Sequence, residues 1–306
     1  MFKRPVHWGT PIAVSIEPTT ACNLRCPECP SGLRQFSRPT GNLKGETNKQ
    51  ILDELGPNLQ HVNYYFQGEP FIHPNFSEFI QEARKRNIYV VTSTNAHFID
   101  QTKAEQIIES GLSELIISID GLTQETYEAY RIEGNLQKVI AGTKNIVAAK
   151  KKMNSVYPIL TFQFLITRKN EHEVKQLNEL AKKLEVDEVR FKTVQVYDYQ
   201  NGHELLPKNE KYSRYTQTED GSYKLKNKLS NSCWRSWSSC VFTWDAKVVP
   251  CCFDKDAQHQ FGSLEQSDFL SIWKGGIARS FHQKILRDRK QIEICTNCSE
   301  GSKIWI

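Results

Sequence analysis

The stretch Cys22-Asn23-Leu24-Arg25-Cys26-Pro27-Glu28-Cys29 places three cysteines within eight residues. It follows residues 12–16, a short apolar run that predicts a β-strand, so the cysteines come just beyond the carboxyl end of that strand. Three thiolates at this spacing can bind three corners of one metal cluster, and no fourth cysteine is nearby in the sequence. A [4Fe–4S] cluster held by three thiolates leaves one iron with an open coordination position. The stretch therefore indicates a metal centre at the end of the first strand.

The cysteine triplet is also compatible with a zinc site completed by His61, His73 or a carboxylate, or with a set of incidental core cysteines. Structural zinc sites prefer paired Cys-x2-Cys knuckles, whereas this triplet has spacings of three and two intervening residues. The spacing therefore favours an iron–sulfur cluster.

The sequence around the triplet alternates predicted strands with predicted helices. The predicted strands are residues 12–16, 62–66, 88–92, 115–119, 160–166 and 189–194. Apolar residues recur at helical spacing in 76–83 and 174–184, which predicts a helix in each range. A long helix is expected over 136–152. A further helix is expected to begin after Asp100 and to end before Gly111. Such alternation predicts an α/β fold with a parallel sheet and right-handed crossovers. Six units are fewer than the eight of a closed barrel, so we expect a partial (β/α)6 TIM-like barrel with functional residues at the carboxyl ends of its strands.

The composition changes after Tyr199. Residues 200–232 are polar and rich in lysine, so we place a barrel domain at residues 1–205 and a small α+β domain at residues 206–306. The second domain has two predicted strands around a turn at Asp245-Ala246, followed by a helical stretch over residues 269–287. A unit with so little apolar core needs additional stabilisation, and a metal cluster would provide it.

Charge and cysteine content exclude several classes of function. A formal net charge of +5 spread over 306 residues favours neither a nucleic-acid partner nor a membrane surface. No apolar run approaches the roughly 18 residues of a membrane span, and no signal-peptide pattern occurs in the first residues. We therefore expect a cytoplasmic protein. Nine cysteines in that compartment point to metal or redox chemistry rather than to disulfides.

The triplet Cys22-x3-Cys26-x2-Cys29 after a first barrel strand resembles the signature of radical S-adenosylmethionine (SAM) enzymes. The resemblance implies a [4Fe–4S] cluster bound by these three cysteines and the partial (β/α)6 barrel of that superfamily. It extends to Gln67-Gly68-Glu69-Pro70, which resembles the family's Gly-Gly-Glu element that binds the methionine amino group of SAM. Two departures are Gln67 in place of the first glycine and Glu28 in place of an aromatic residue.

Further SAM-binding positions are implied by the same resemblance. Thr94 and Asn95, after the third predicted strand, resemble a segment lining the SAM ribose and adenine, as do Ser118 and Asp120 at the fourth. Arg131 resembles an arginine that pairs with the SAM carboxylate. The alternatives are a plain turn at Asp120 and an ion pair between Arg131 and Glu128 or Glu133.

The last part of the chain resembles the SPASM or "twitch" extension of radical SAM enzymes, which binds auxiliary [4Fe–4S] clusters. Its six cysteines suffice for one four-thiolate cluster but not for two. Cys252 is an alternative to one of the ligands, Cys240 is expected to be a buried inert thiol, and a structural zinc knuckle is the alternative to the cluster. The resemblance implies ligation by Cys233, Cys251, Cys295 and Cys298.

Function follows from the resemblance as an expectation. It implies reductive cleavage of SAM, with an electron from a flavodoxin- or ferredoxin-type donor, to a 5′-deoxyadenosyl radical that abstracts hydrogen from a substrate. An auxiliary cluster without an open iron is expected to accept the electron of the substrate radical, which makes the net reaction an oxidation. No side chain is assigned as an acid–base catalyst.

The substrate is the least determined part of the expectation. Since no peptide-recognition domain is expected before residue 11, we expect a small polar substrate such as an alcohol-bearing sugar or cyclitol, in a pocket near Tyr197, Tyr199, Trp234 or Trp237. One alternative is a peptide-modifying maturase that forms epimers, thioethers or carbon–carbon crosslinks. The alternative from another class is a non-catalytic iron–sulfur or zinc-binding protein.

Overall fold

The computed structural model describes residues 4–6 and 9–299, which are built around one nine-stranded sheet and a separate two-stranded hairpin. The strands are β1 Ala13–Ile16, β2 His61–Asn63, β3 Tyr89–Thr94, β4 Glu114–Ser118, β5 Ile159–Ile166, β6 Glu188–Thr193, β7 Tyr215–Gln217, β8 Tyr223–Leu225, β9 Ser239–Phe242, β10 Lys247–Val249 and β11 Gly262–Ser263. The large sheet has the order β11-β10-β9-β1-β2-β3-β4-β5-β6. Residues 300–306 of the predicted second domain lie outside the described residues.

Helices connect the parallel strands β1 to β6, which pair with one another in sequence order. The α-helices are α1 Pro30–Leu33, α2 Gly45–Leu55, α3 Phe76–Arg84, α4 Gln101–Glu109, α5 Gln124–Glu128, α6 Leu136–Lys152, α7 Gln176–Lys183, α8 Trp234–Ser238, α9 Phe269–Trp273, α10 Gly276–Asp288 and α11 Glu293–Thr296. The α/β partial barrel is therefore confirmed, with β6 and β11 as the outer strands of an open sheet.

Local sequence signals account for the helix boundaries. Asp100 accepts a hydrogen bond from the backbone N–H of Lys103 at the start of α4, and Gly111 adopts φ +76° just beyond its end, as predicted. The apolar residues predicted at helical spacing in 76–83 are buried in α3, which contacts β3. Helix α6 ends at Lys152 as predicted, and its last turn holds three lysines, which suit the helix dipole. The apolar period of the sequence thus decides which helix faces pack on the sheet.

The second unit continues the sheet of the barrel. Strand β9 pairs in parallel with β1, from Ala13 opposite Ser239 to Ile16 opposite Phe242, and β10 and β11 follow in antiparallel order. The predicted turn at Asp245-Ala246 is present and lies between β9, which ends at Phe242, and β10. The predicted helix over residues 269–287 is divided into α9 and α10, because Lys274 ends the first and Gly275 caps the second.

The strand register brings polar residues together at one edge of the sheet. Ser118 lies opposite Gln163, and Leu165 lies opposite Lys192. The carboxyl ends of parallel strands meet at the same edge, where α/β proteins bind ligands. Within the described residues, no helix is both long and apolar enough to span a membrane.

Candidate functional site

A cavity of about 410 Å³ opens at the carboxyl ends of the barrel strands. The predicted site residues that line it are Cys22, Cys26, Cys29, Gly68, Glu69, Thr94, Asn95, Ser118 and Arg131. Asp120 does not line the cavity and lies behind Arg131. Segments that are far apart in the sequence therefore meet in one place, as expected for functional residues at strand ends.

The three cysteines of the N-terminal stretch are free thiols at the wall of this cavity. The loop that carries them is held by backbone hydrogen bonds and ends at Cys29, which precedes the first turn of α1. Burial raises the pKa of Cys22 to about 12, so its thiolate needs a positive metal centre for stability. In residues 4–6 and 9–299 no three His, Cys, Asp or Glu side chains are close enough to share one metal ion. The triplet places three thiols at one wall of the cavity, the number that a cluster with one open iron needs.

Glu69 is the most strongly held acidic group of the cavity. Its side chain is 2% exposed, and burial raises its pKa. The Thr94 hydroxyl donates to Oε1 at 2.8 Å and the Asn95 N–H donates to Oε2 at 2.7 Å. A buried carboxylate aimed into a cavity is stabilised by a cationic ligand such as an ammonium group. Thr94 and Asn95 thus orient Glu69, and their contacts with the SAM ribose and adenine stay a prediction.

Gly68 allows this turn to form. Its φ is +75°, and a Cβ at this position would collide with the Thr19 carbonyl oxygen and come within 2.9 Å of the Ala21 carbonyl oxygen. Its N–H donates to the Ser31 hydroxyl at 2.9 Å. Only glycine combines this backbone conformation with so close an approach of two chain segments. The turn after β2 is therefore locked against the loop that follows β1.

Asp120, Arg131 and Cys26 form a chain of contacts beside the cavity. The Asp120 carboxylate is 1% exposed and accepts hydrogen bonds from Arg131 Nε at 2.5 Å and from the Leu165 N–H at 2.6 Å. Arg131 Nη1 donates to Cys26 Sγ at 3.7 Å. Asp120 therefore positions Arg131, and its own contact with SAM stays a prediction. Each of the two oxygens thus has a donor, and Asp120 is not among the residues that line the cavity.

The alternative ion pairs of Arg131 do not form. Glu133 pairs instead with Arg25, at 3.6 Å, and the carboxylate beside Arg131 is that of Asp120. Held in this way, the guanidinium lies where it can bind a carboxylate from a ligand.

Several residues of the cavity wall were not predicted. They include Tyr65, Gln163, Lys192 and Lys255. Gln163 interrupts an apolar strand run and Lys192 lies in the alternating strand β6. Both face the same side of the sheet as Ser118 and Leu165, and this alternation could have revealed them. Lys255 lies far along the chain, and no local pattern marks it.

None of the four aromatic residues expected near the substrate lines this cavity. Tyr199 stacks on Tyr215 with ring centroids 4.7 Å apart, Trp237 packs on His282 at 4.6 Å, and Trp234 is exposed. Tyr197 reaches the cavity wall through its hydroxyl, which accepts a hydrogen bond from Lys255 at 3.0 Å. Core packing accounts for Tyr199 and Trp237.

The four cysteines predicted for the second centre line one small enclosed cavity, next to α10 and α11. They are Cys233, Cys251, Cys295 and Cys298. Arg289 lines the same cavity, is 1% exposed, and donates from Nη2 to Cys298 Sγ at 3.4 Å. Burial raises the pKa of Cys251 and of Cys295. Four thiols and a buried cation therefore fit a cluster whose charge is negative.

The two remaining cysteines lie elsewhere. Cys252 is exposed and accepts a hydrogen bond from Arg235 at 3.6 Å, outside the enclosed cavity. Cys240 is 2% exposed within β9 and is packed in the main core. The geometry thus favours Cys251 over Cys252 as the fourth thiol, and Cys240 is buried as expected.

Two family models match the chain. The model of the radical SAM superfamily matches residues 16–181, and that of SPASM, an iron–sulfur cluster-binding domain, matches residues 233–299.

Characterised relatives are similar over part or most of the chain. A PqqA peptide cyclase of Bradyrhizobium diazoefficiens is 24% identical over 87% of this chain and 71% of its own length. The mycofactocin maturase MftC of Mycobacterium tuberculosis is 31% identical over 56% of this chain and 41% of its own length. An AdoMet-dependent heme synthase of Methanosarcina barkeri is 27% identical over 58% of this chain. The match spans 48% of the heme synthase, about half of that protein.

Solved structures share the fold. SuiB of Streptococcus suis bound to S-adenosylmethionine superposes with a TM-score of 0.69 at 15% identity, over 95% of this chain and 71% of that one. BtrN in complex with AdoMet and 2-DOIA superposes with a TM-score of 0.57 at 15% identity, over 94% and 93%. Because the radical SAM model covers more than half of the residues, the chain belongs to the radical SAM superfamily of enzymes and carries a SPASM iron–sulfur domain.

Proposed function

We propose that this protein is an oxidoreductase that abstracts hydrogen from a small polar substrate, an alcohol or a sugar or cyclitol, in the cavity of about 410 Å³. Cys22, Cys26 and Cys29 hold its [4Fe–4S] cluster. The observation that carries the proposal is that these thiols share one cavity with Glu69 and Arg131. When bound, the cluster and SAM supply an electron and a carbon radical that removes a hydrogen atom.

The side chains of the cavity bind and orient the ligand. Glu69 accepts the methionine ammonium group of SAM, which relieves the cost of its burial and lowers its raised pKa. Arg131, fixed by Asp120, pairs with the methionine carboxylate. Ser118 lines the wall at the end of β4 beside Gln163, where it contacts the nucleoside part of SAM. Burial of these groups keeps water from the reacting atoms.

The second centre would supply an acceptor for the electron of the substrate radical. Cys233, Cys251, Cys295 and Cys298 hold a [4Fe–4S] cluster with no open iron, so it binds no substrate. A flavodoxin- or ferredoxin-type protein supplies the electron for SAM cleavage. We place the boundary between the two units at residues 205 and 206, and β9 then joins the second unit to the sheet of the first.

Anoxic purification and reconstitution test the proposal. With dithionite in place of the protein donor, the enzyme is expected to convert SAM to methionine and 5′-deoxyadenosine and to hold about eight irons per chain. Colourless protein with bound zinc and no 5′-deoxyadenosine would instead establish a non-catalytic zinc-binding protein. An iron content of about four with SAM cleavage intact would remove the auxiliary cluster.

Peptide modification is the second candidate function. Two of the relatives are named a peptide cyclase and a maturase, and SuiB superposes with its precursor peptide SuiA bound, at a TM-score of 0.68. Deuterium transfer into 5′-deoxyadenosine separates the candidates. Transfer from a carbon-bound deuterium of a sugar alcohol supports the first, and transfer from a labelled peptide supports the second.

Neighbouring cysteines provide a matched test of the auxiliary ligands. The Cys251→Ala variant is expected to lose about four irons per chain, because Cys251 lines the enclosed cavity with three other thiols. The Cys252→Ala variant is expected to keep all of them, since Cys252 is exposed and lies outside it. Iron analysis and electron paramagnetic resonance (EPR) after reconstitution measure the difference. If only the Cys252 variant lost iron, Cys252 and not Cys251 would be the cluster ligand.

Arg289 is expected to raise the reduction potential of the auxiliary cluster. Its guanidinium donates to Cys298 Sγ, and a nearby positive charge stabilises the reduced, more negative cluster. The Arg289→Gln variant should lower the potential by roughly 60 mV, since a hydrogen bond to a charged group contributes about 1.5 kcal/mol and about 59 mV equals tenfold in a one-electron couple.

A redox titration followed by EPR measures this shift. All variants carry alanine at Cys22, Cys26 and Cys29, so that only the auxiliary signal is recorded. Arg279→Gln, on the exposed face of α10, is the matched control and should leave the potential unchanged. An equal potential in the Arg289 and Arg279 variants would contradict the proposed effect.

A further inference from the structure

Two lysines from distant parts of the chain line the proposed active-site cavity. Lys192 belongs to β6, and Lys255 lies in the loop between β10 and β11. Lys192 lies opposite Leu165, two residues along β5 from Gln163, which places it on the row of side chains that forms the cavity wall. Within the described residues, neither lysine forms a salt bridge with a carboxylate.

The loop that carries Lys255 is fixed to the barrel. Arg38 Nε donates to the Lys255 carbonyl oxygen at 2.8 Å, and the same guanidinium makes two hydrogen bonds to Glu17, at 2.9 and 2.6 Å. Glu17 is fully buried and Arg38 is 8% exposed, so this is a bidentate pair in a dry setting. The Ser37 N–H also donates to Asp256. These contacts therefore hold the loop, and with it Lys255, at the wall of the cavity.

The Lys255 side chain is oriented as well. Its Nζ donates to the Tyr197 hydroxyl at 3.0 Å and lies 5.0 Å from the centre of the Tyr197 ring. Neither contact pairs the ammonium group directly with a carboxylate, and an ammonium group has three donors. Lys255 can therefore still bind a negatively charged ligand.

The other charged groups of the cavity already have partners. Glu28 accepts a hydrogen bond from the Tyr197 N–H at 3.0 Å and lies 3.5 Å from His203, and Lys255 attracts its carboxylate. Glu69 accepts three hydrogen bonds, and Arg131 pairs with Asp120. Once SAM engages Glu69 and Arg131 as proposed, the cationic groups left for a substrate are the two ammonium groups, with the Glu28 carboxylate beside them.

We propose that the substrate carries an anionic oxygen group, a carboxylate or a phosphate, which Lys192 and Lys255 bind together. The inference rests on the proposed function and narrows its substrate class. Lys192 is exposed and Lys255 is half-buried, so water reaches both ammonium groups. A neutral sugar or cyclitol offers them no charged partner, whereas an acidic group gains charge-assisted hydrogen bonds from both. The two lysines thereby select acids over their uncharged analogues.

The inference is tested with probe molecules small enough to enter the cavity that both lysines line. Acetate, its neutral analogue acetamide and inorganic phosphate are titrated by NMR into the reconstituted enzyme with SAM and an oxidised cluster. At least one of the two anions is expected to bind about tenfold more tightly than acetamide, and Lys192→Met and Lys255→Met should each weaken it about tenfold. The anion that binds more tightly distinguishes a carboxylate from a phosphate substrate. Lys247→Met, in an ion pair with Asp245 outside the cavity, is the matched control and should bind as the parent does.

The inference is overturned if acetamide binds as tightly as both anions. It is also overturned if Lys192→Met and Lys255→Met both bind the anions as tightly as the parent enzyme does. Production of 5′-deoxyadenosine is measured in parallel in the parent enzyme and in Lys247→Met, whose changed residue lies outside the cavity. Its persistence without anion selectivity rejects the lysine subsite but keeps the proposed function. Its absence from the parent enzyme rejects the proposed function itself.

Discussion

Replacing Cys26 by alanine is expected to abolish SAM cleavage and to lower the iron content from about eight to about four per chain. Cys26 is the most buried of the three N-terminal thiols, 5% exposed, and it accepts a hydrogen bond from Arg131. Two remaining thiolates leave two irons without protein ligands, so the cluster is not retained. Anoxic iron analysis and chromatography of 5′-deoxyadenosine measure both effects.

Cys240→Ala is the matched control for this prediction. Cys240 is also a buried free thiol, at 2% exposed, and it lines neither cysteine cavity. Its loss removes the same atoms from the interior and should leave iron content and SAM cleavage intact. If the two variants lost iron equally, general destabilisation would account for the result. If Cys26→Ala formed 5′-deoxyadenosine at the parent rate, the proposed cluster site would be wrong.

The elements of the barrel could be predicted because they depend on local sequence. Strand β5 occupies Ile159–Ile166, where residues 160–166 were predicted, since a run of apolar β-branched and aromatic residues fits only a buried strand. Helix α4 begins at its predicted cap because Asp100 satisfies a backbone N–H within one turn. The cysteine triplet and Gly68-Glu69 were recognised for the same reason, as short continuous motifs.

Contacts between distant segments could not be predicted from such signals. The parallel pairing of β9 with β1 and the placement of Lys255 over the cavity depend on how the second unit docks, and local patterns carry no information on docking. Likewise the motif at Asp120 indicated a functional position, but only the folded structure shows that both carboxylate oxygens are taken by Arg131 and Leu165. Roles that depend on orientation therefore required the structure.

Replacing Gly68 by alanine is expected to weaken SAM binding at least about tenfold, through loss of a charge-assisted hydrogen bond, and to destabilise the protein by about 2–5 kcal/mol. A Cβ there meets the Thr19 carbonyl oxygen, and the φ of +75° is strained for any residue with a side chain. The turn must shift, and it carries Glu69 away from the methionine ammonium group. Calorimetric SAM titration and denaturant unfolding measure the two effects.

Gly221→Ala separates backbone strain from the collision. Gly221 has a similar φ of +84°, but a Cβ there meets nothing within 4 Å, so only the cost of the left-handed conformation is added, roughly 1–2 kcal/mol. SAM binding should be unchanged in this variant. Glu69→Gln tests the same site without a steric change, and we expect it to weaken SAM binding at least about tenfold while the chain stays folded. Gly68→Ala moves the Glu69 carboxylate, and Glu69→Gln removes its charge. Normal SAM affinity in both variants would therefore show that this turn does not hold the methionine group.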